Sequence, residues 1–116
     1  MLIKISLLNQ ILCLDVDMRI LSTGSTGFVG KALMSALHTK RHEISVPMRV
    51  QSESSTSLNS FVIGDIDATT NWSSALHGVD AVVHLAARVH VMRDTARNPL
   101  AEFRTVNIDG TLNLAR

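Results

Sequence analysis

The chain has 116 residues, enough for one small domain and few for an enzyme with separate cofactor and substrate parts. Apolar residues make up 46% and charged residues 18%, which excludes a disordered tail and suits a buried sheet. A net charge of +1, three Phe, one Trp and no Tyr supply neither a basic field nor a stacking surface for nucleic acid, and nothing that attracts an anionic membrane.

Cys13 stands alone, so an intrachain disulfide and a thiolate metal cluster are excluded, and the lone thiol fits the cytoplasm. The histidines (His38, His42, His77, His84, His90) fall on different expected elements, none as a helical pair flanking a carboxylate. No metal site is expected from that spacing.

Residues 1–17 read MLIKISLLNQILCLDVD, with the early lysine and apolar stretch of a signal peptide. Asn9 and Gln10 interrupt the stretch, no small-x-small cleavage site follows, and the run is too short to span a bilayer. Met18 lies directly before the first strand, so residues 1–17 are expected to be an extension outside the core, with Met18 as the functional start. An amino terminus at Met1, found by mass spectrometry of the natively expressed protein, would overturn this.

From Met18 onward strands alternate with helices. Arg19–Thr23 is a short strand that ends in Thr23-Gly24-Ser25-Thr26-Gly27-Phe28-Val29-Gly30. Phe28, Val29, Ala32, Leu33, Ala36 and Leu37 then repeat at the spacing of one helix face. His42–Val50 is the second strand, with Pro47 expected to mark its end or a local break, because proline cannot donate to a ladder.

The polar run Gln51–Ser57 has the composition of a surface loop. Phe61–Ile63 is a third strand closed by Gly64-Asp65, and Asn71–His77 a short helix for which Thr70 is the expected cap. Asp80–Leu85 has the continuous apolar run of a strand covered on both faces. Asn98-Pro99 reads as a cap with proline at the first helical position, opening a last helix that turns Leu100, Phe103, Val106 and Leu114 inward. This alternation specifies an α/β fold, a parallel sheet with right-handed crossovers and helices on both faces.

The glycine cluster is the most specific feature. Gly24-x-x-Gly27-x-x-Gly30 lies between a strand and an amphipathic helix, the setting in which such a motif binds a dinucleotide. The first glycine permits the tight turn, the second lets backbone approach a pyrophosphate, and the third lets the helix pack close to the strand. The helix start favours phosphate charge, and Ser25 and Thr26 can add hydroxyl donors.

With these motifs the sequence resembles the extended short-chain dehydrogenase/reductases, the NAD-dependent epimerase/dehydratase family that acts on nucleotide sugars. The glycine spacing in TGSTGFVG is the family's form, and three further matches follow in order. Gly64-Asp65-Ile66 resembles the strand-end pair that contacts adenine, and His84-Leu85-Ala86-Ala87 the H-x-A-A stretch that lines the cofactor. Val106-Asn107-x-x-Gly110-Thr111-x-Asn113 resembles a helix whose first Asn supports the active site. The resemblance covers Met18 to Arg116 and implies a Rossmann-type NAD(P)-binding domain truncated after about four strands. The stretch AARVHVMRDTARNPLAEF points further to epimerases and 4-keto-sugar reductases.

The implied cofactor residues are Gly24, Ser25, Thr26, Gly27, Phe28, Val29, Gly30, Arg49, Asp65, Ile66, Leu85, Ala86 and Ala87, with Asn107 in support. Arg88 reaches substrate phosphate or is merely solvated. His84, on an apolar strand, reads as a packed, hydrogen-bonded core histidine rather than a catalyst. An acid at the end of the second strand would bind the ribose 2′-hydroxyl of NAD. Arg49 stands there instead and favours the 2′-phosphate of NADP, with NAD as the alternative.

The resemblance places the chemistry on a Tyr with a Lys four residues on. The chain has no tyrosine, and its lysines Lys4, Lys31 and Lys40 lie elsewhere, so no catalytic residue is assigned. Two readings follow. One is the cofactor-binding part of a nucleotide-sugar epimerase, dehydratase or reductase, inactive alone, able to oligomerise. The other is a non-catalytic NAD(P)-binding module that regulates or pairs with another chain. A chain ending at Arg116 exposes the Ala81-Val82-Val83 strand as an open sheet edge, so the isolated fragment is expected to be marginal and poorly soluble. A cooperative thermal transition from a soluble monomer would contradict that expectation.

Overall fold

A computed structural model describes residues 17–50, 59–89 and 95–116. The expected loop at Gln51–Ser57, Cys13, His90 and nearly all of the amino-terminal extension lie outside the described residues. Four parallel strands, β1 (Arg19–Thr23), β2 (Glu43–Met48), β3 (Asn59–Val62) and β4 (Ala81–His84), form one sheet in the order β3-β2-β1-β4.

β1 is the centre of the domain, and its alternating side chains feed both faces. Ile20 meets Leu33 and Leu37 of helix α1 (Phe28–Thr39), together with Ile44, Val46 and Val83. Leu21 faces the opposite cluster, with Trp72 and with Ala75 of the short helix α2 (Ser73–Leu76). Leu114 from the end of the chain packs on that same side. Helices therefore cover both faces, as the alternation of elements implies.

The buried face of α1 differs from the apolar periodicity. Gly30, Leu33 and Leu37 are buried, whereas Ala32 is exposed and Phe28 is 95% exposed. The helix springs from the loop beyond the end of β1, so its first turn has no sheet beneath it. The small side chain of Ala32 adds apolar count without defining a face.

β2 passes through Pro47, which pairs with Phe61 of β3 and is followed by Met48 before the strand ends. Backbone groups alternate in direction along a strand, and the Met48 carbonyl accepts from Ile63 N–H on the β3 side at 2.9 Å. The missing Pro47 N–H therefore faces β1, where the ladder with β2 has already ended at Leu21–Ser45. Proline costs nothing there, so it neither ends nor breaks the strand. His42 and Val50 fall outside β2, and Val50 is exposed.

The last helix begins as expected. Asn98 Oδ1 accepts from Ala101 N–H at 3.1 Å, and Pro99 takes the first helical position. It runs as α3 (Pro99–Arg104), a π-helical turn (Thr105–Gly110) and α4 (Thr111–Leu114). Phe103 and Val106 are half-buried, but Leu100 is 59% exposed because it precedes the part of the helix that crosses the sheet.

Burial sets an expected contrast between two leucines. Leu37 is fully buried, so Leu37→Ala is expected to cost about 2–5 kcal/mol, read as a lower urea midpoint at unchanged slope. Leu100→Ala is expected to stay within about 0.5 kcal/mol of the parent. Equal losses would show that the burial pattern is wrong.

Candidate dinucleotide site

The site gathers at the carboxyl ends of the strands. After Thr23 the chain turns through Gly24, whose φ of +70° is a left-handed conformation that side chains other than glycine resist. There is also no room for one. A Cβ on Gly24 would lie 2.6 Å from Ala86 N and 2.7 Å from the Leu85 carbonyl carbon. A Cβ on Gly30 would overlap the Gly24 carbonyl oxygen, so the third glycine seats α1 on the turn.

Gly27 is different. Its Cβ would meet only the Gly24 carbonyl oxygen, at 3.3 Å, and otherwise open space. Gly27 also caps α1 without a side-chain hydrogen bond, and no acidic residue occupies the first turn. The Gly27 N–H itself donates to the Gly24 carbonyl at 3.1 Å, so it is the amides of the first turn of α1 that remain for an outside anion, as a pyrophosphate cradle requires. Thr26, Phe28 and Val29 are exposed around this opening. The Ser25 hydroxyl instead donates to the Ser22 carbonyl at 2.8 Å, so its proton braces the turn.

Leu85, Ala86 and Ala87 leave β4 beside this turn. Thr23 Oγ1 accepts from both Leu85 N–H and Ala86 N–H at 3.1 Å, tying the stretch to the end of β1. His84 is bonded through both ring nitrogens, Nδ1 to Thr23 Oγ1 at 2.7 Å and Nε2 to Thr111 Oγ1 at 3.1 Å. It is a half-buried, hydrogen-bonded histidine at the end of β4, beside the core rather than in it, and its partial burial lowers its pKa below the ordinary 6.5.

Asn107, within the π-helical turn, grips the backbone of Arg88. Its Oδ1 accepts from Arg88 N–H at 2.8 Å and its Nδ2 donates to the Arg88 carbonyl at 2.9 Å. The Arg88 guanidinium lies 5.5 Å over the Phe103 ring, a cation–π arrangement. The interrupted helix thus holds the far end of the loop that begins at Leu85.

The third segment follows β3. Asp65 sits beside Arg49, carboxylate to guanidinium at 3.2 Å, with side chains 80% and 76% exposed. Ile66 packs into the second core cluster and presses on Gly110, where a Cβ would lie 2.6 Å from Ile66 Cγ2. Thr70 does not cap α2. Its hydroxyl donates to the Asp65 carbonyl at 2.8 Å and accepts from Asp67 N–H at 2.8 Å, while Asn71 Oδ1 accepts from Ser73 N–H at 3.0 Å. Asn113 Nδ2 donates to the carbonyls of Asp67 and Thr70, at 3.1 and 2.8 Å. Hydrogen bonds from Thr69 hold the Asp67 carboxyl below its usual range.

The glycine turn, the ends of β2 and β3 and the loop after β4 thus converge on one rim. Thr23, Thr70, Thr111 and Asn113 complete it, although none is assigned a site role from the sequence. Thr111 and Asn113 carry a signal there as part of the Val106–Asn113 motif and Thr23 as the residue before the glycine turn, whereas Thr70 shows only as a polar residue at a helix start. A cavity of about 400 Å³ between β3 and α2 is lined by Phe61, Val62 and Asn71 among others and by no residue of the glycine turn or of the loop after β4.

A parallel sheet with this glycine turn at the end of its central strand defines a dinucleotide-binding α/β domain. The profile described as the NAD dependent epimerase/dehydratase family matches residues 20–116, and the chain belongs to that family. It is 43% identical over 102 residues to a UDP-glucose 4-epimerase of Vibrio cholerae, covering 84% of this chain and 30% of the relative. It is 34% identical over 101 residues to a 3-beta-hydroxysteroid dehydrogenase of Mycolicibacterium neoaurum, covering 83% and 27%.

Among solved structures it matches a short-chain dehydrogenase/reductase superfamily protein of Agrobacterium tumefaciens with bound NAD. The TM-score is 0.65 at 32% identity, over 84% of this chain and 27% of that one. A UDP-N-acetylglucosamine 4-epimerase of Bacillus cereus matches with a TM-score of 0.61 at 26% identity, over 84% and 31%. The chain therefore spans less than a third of the length of these relatives. No helix among the described residues is long and apolar enough to cross a membrane.

Two measurements check this geometry. Asn107→Ala removes both bonds to Arg88 and is expected to cost about 1–3 kcal/mol in urea unfolding; no loss would contradict the clamp. The lowered His84 pKa means that folding favours the neutral ring. Its contribution is fully present above the ordinary value near 6.5 and fades as pH falls toward the lower folded value. Stability of the parent should therefore drop between about pH 7 and pH 5, and less so in His84→Asn.

Proposed function

We propose that the chain is the cofactor-binding part of an enzyme that modifies a nucleotide sugar, with the catalytic Tyr-x-x-x-Lys half outside these 116 residues. The carrying observation is the Gly24–Gly30 turn, in which one glycine opens onto space at an uncapped helix start. That is the shape a pyrophosphate fits. The epimerase relatives support a nucleotide-sugar substrate. Without tyrosine the chain has no family general base, so it is inactive alone.

The bound nicotinamide supplies hydride transfer. The protein's own residues bind and orient it. Gly27 and the start of α1 take the pyrophosphate, Asp65 and Ile66 the adenine side, and Leu85, Ala86 and Ala87 line the cofactor. Arg49 favours NADP over NAD at the ribose. Asp65 offsets this charge, but an exposed ion pair is worth about 0–1 kcal/mol and parts readily for a phosphate. The lone Cys13 supports a cytoplasmic enzyme.

Titration of the full-length protein with both cofactors tests this reading. NADP is expected to bind more tightly than NAD, Asp65→Asn to widen the gap several-fold and Arg49→Ala to close it. A clear NAD preference in the parent would remove Arg49 from the account. Failure of both cofactors to bind would remove the function itself.

A further inference from the structure

Donor and acceptor bookkeeping around His84 determines where its proton lies. A threonine hydroxyl has one hydrogen to give and two lone pairs to share. Thr23 Oγ1 accepts from Ala86 N–H at 3.1 Å and shares Leu85 N–H with the Thr23 carbonyl, at 3.1 and 3.2 Å. Both lone pairs are then engaged, and the 2.7 Å contact with His84 Nδ1 must be made by the threonine's own hydrogen. Nδ1 is an acceptor, so in a neutral ring the proton sits on Nε2. The other side agrees, because Thr111 Oγ1 donates to the Asn107 carbonyl at 3.0 Å and is free to accept from Nε2–H at 3.1 Å.

The bonds form a directed chain. It runs from the Leu85 and Ala86 amides through Thr23, His84 and Thr111 to the backbone of Asn107, whose side chain returns to Arg88. One imidazole thus fastens both ends of the Leu85–Arg88 loop. We propose that His84, as the neutral Nε2–H tautomer, is the positioning residue for this cofactor loop, and that a second proton on the ring loosens the loop and weakens dinucleotide binding. The proposal rests on the dinucleotide-binding reading above.

A proton on Nδ1 would face the Thr23 hydroxyl, which could receive it only by surrendering an amide and turning its own hydrogen away. The groups that meet the ring, Thr23 from β1 and Thr111 from the last helix, are uncharged. Arg88 is the cation on the same loop, stacked over Phe103, and Asp109 on the π-helical turn is exposed. Among the described residues no carboxylate forms an ion pair with His84, so nothing there compensates an imidazolium. Burial disfavours the charged ring as well.

Nitrogen NMR of histidine-labelled full-length protein reads the tautomer directly. At pH 7.5 His84 should show a proton-bearing Nε2 and a bare Nδ1; an Nδ1–H tautomer or an imidazolium would overturn the proposal. NAD is the probe for affinity, since it has no phosphomonoester to titrate. Its Kd in the parent should weaken about two- to fivefold from pH 7.5 to pH 5.5, because a ring whose pKa lies below the ordinary value is only partly protonated at the lower pH. His84→Asn keeps an acceptor for Thr23 and does not titrate, so its Kd should stay nearly level. Equal pH dependence in parent and variant would overturn the proposal while leaving dinucleotide binding intact. Absence of NAD binding at every pH would sink both. Should the variant not fold, the tautomer of the parent decides.

Discussion

The structure depends on one close approach, the contact between the turn after β1 and the backbone that leaves β4. A Cβ at Gly24 would stand 2.6 Å from Ala86 N and 2.7 Å from the Leu85 carbonyl carbon, so only glycine fits. With the gap closed, Thr23 reaches the Leu85 and Ala86 amides and His84 reaches Thr23. The crevice of a doubly wound sheet forms where neighbouring crossovers part to opposite faces. Here α1 covers one face and α2 with the last helix the other, and the parting falls between β1 and β4.

The last helix is the second half of this arrangement. Its π-helical turn carries Asn107, and π-turns inside α-helices occur frequently at functional sites. Asn107 holds Arg88, Gly110 admits Ile66, Thr111 meets His84 and Asn113 secures Asp67 and Thr70. Four residues of one short stretch thus anchor two separate loops of the rim. That gives a physical reason for the spacing Val106-Asn107-x-x-Gly110-Thr111-x-Asn113.

Much of this was legible in the sequence because some positions demand one residue type. The three glycines of the turn and Asn98-Pro99 at a helix start each state a local requirement that can be read without partners, whereas the apolar run of β4 reads as covered on both faces and the strand lies at the sheet edge with Val82 37% exposed. The misreadings concern what lies far away in sequence. Periodicity assigned Phe28 and Ala32 to the buried face of α1, since it carries no information on where the sheet beneath ends. Thr70 had a local role as a cap and took a different one, because its hydroxyl found Asp65 and Asp67. Thr23 and His84 are 61 residues apart, and Arg49 meets Asp65 across two strands, so neither pairing leaves a mark on either neighbourhood.

Whether the rim at the carboxyl ends of the strands holds a dinucleotide is read from backbone amide shifts during NADP titration of the full-length protein. Saturable shifts are expected in Gly24–Gly30 and Leu85–Ala87, with Arg19, Glu43 and Asp80 at the opposite end of the sheet unmoved. Shifts confined to that opposite end, or none at all at saturating NADP and NAD, would contradict binding at the rim.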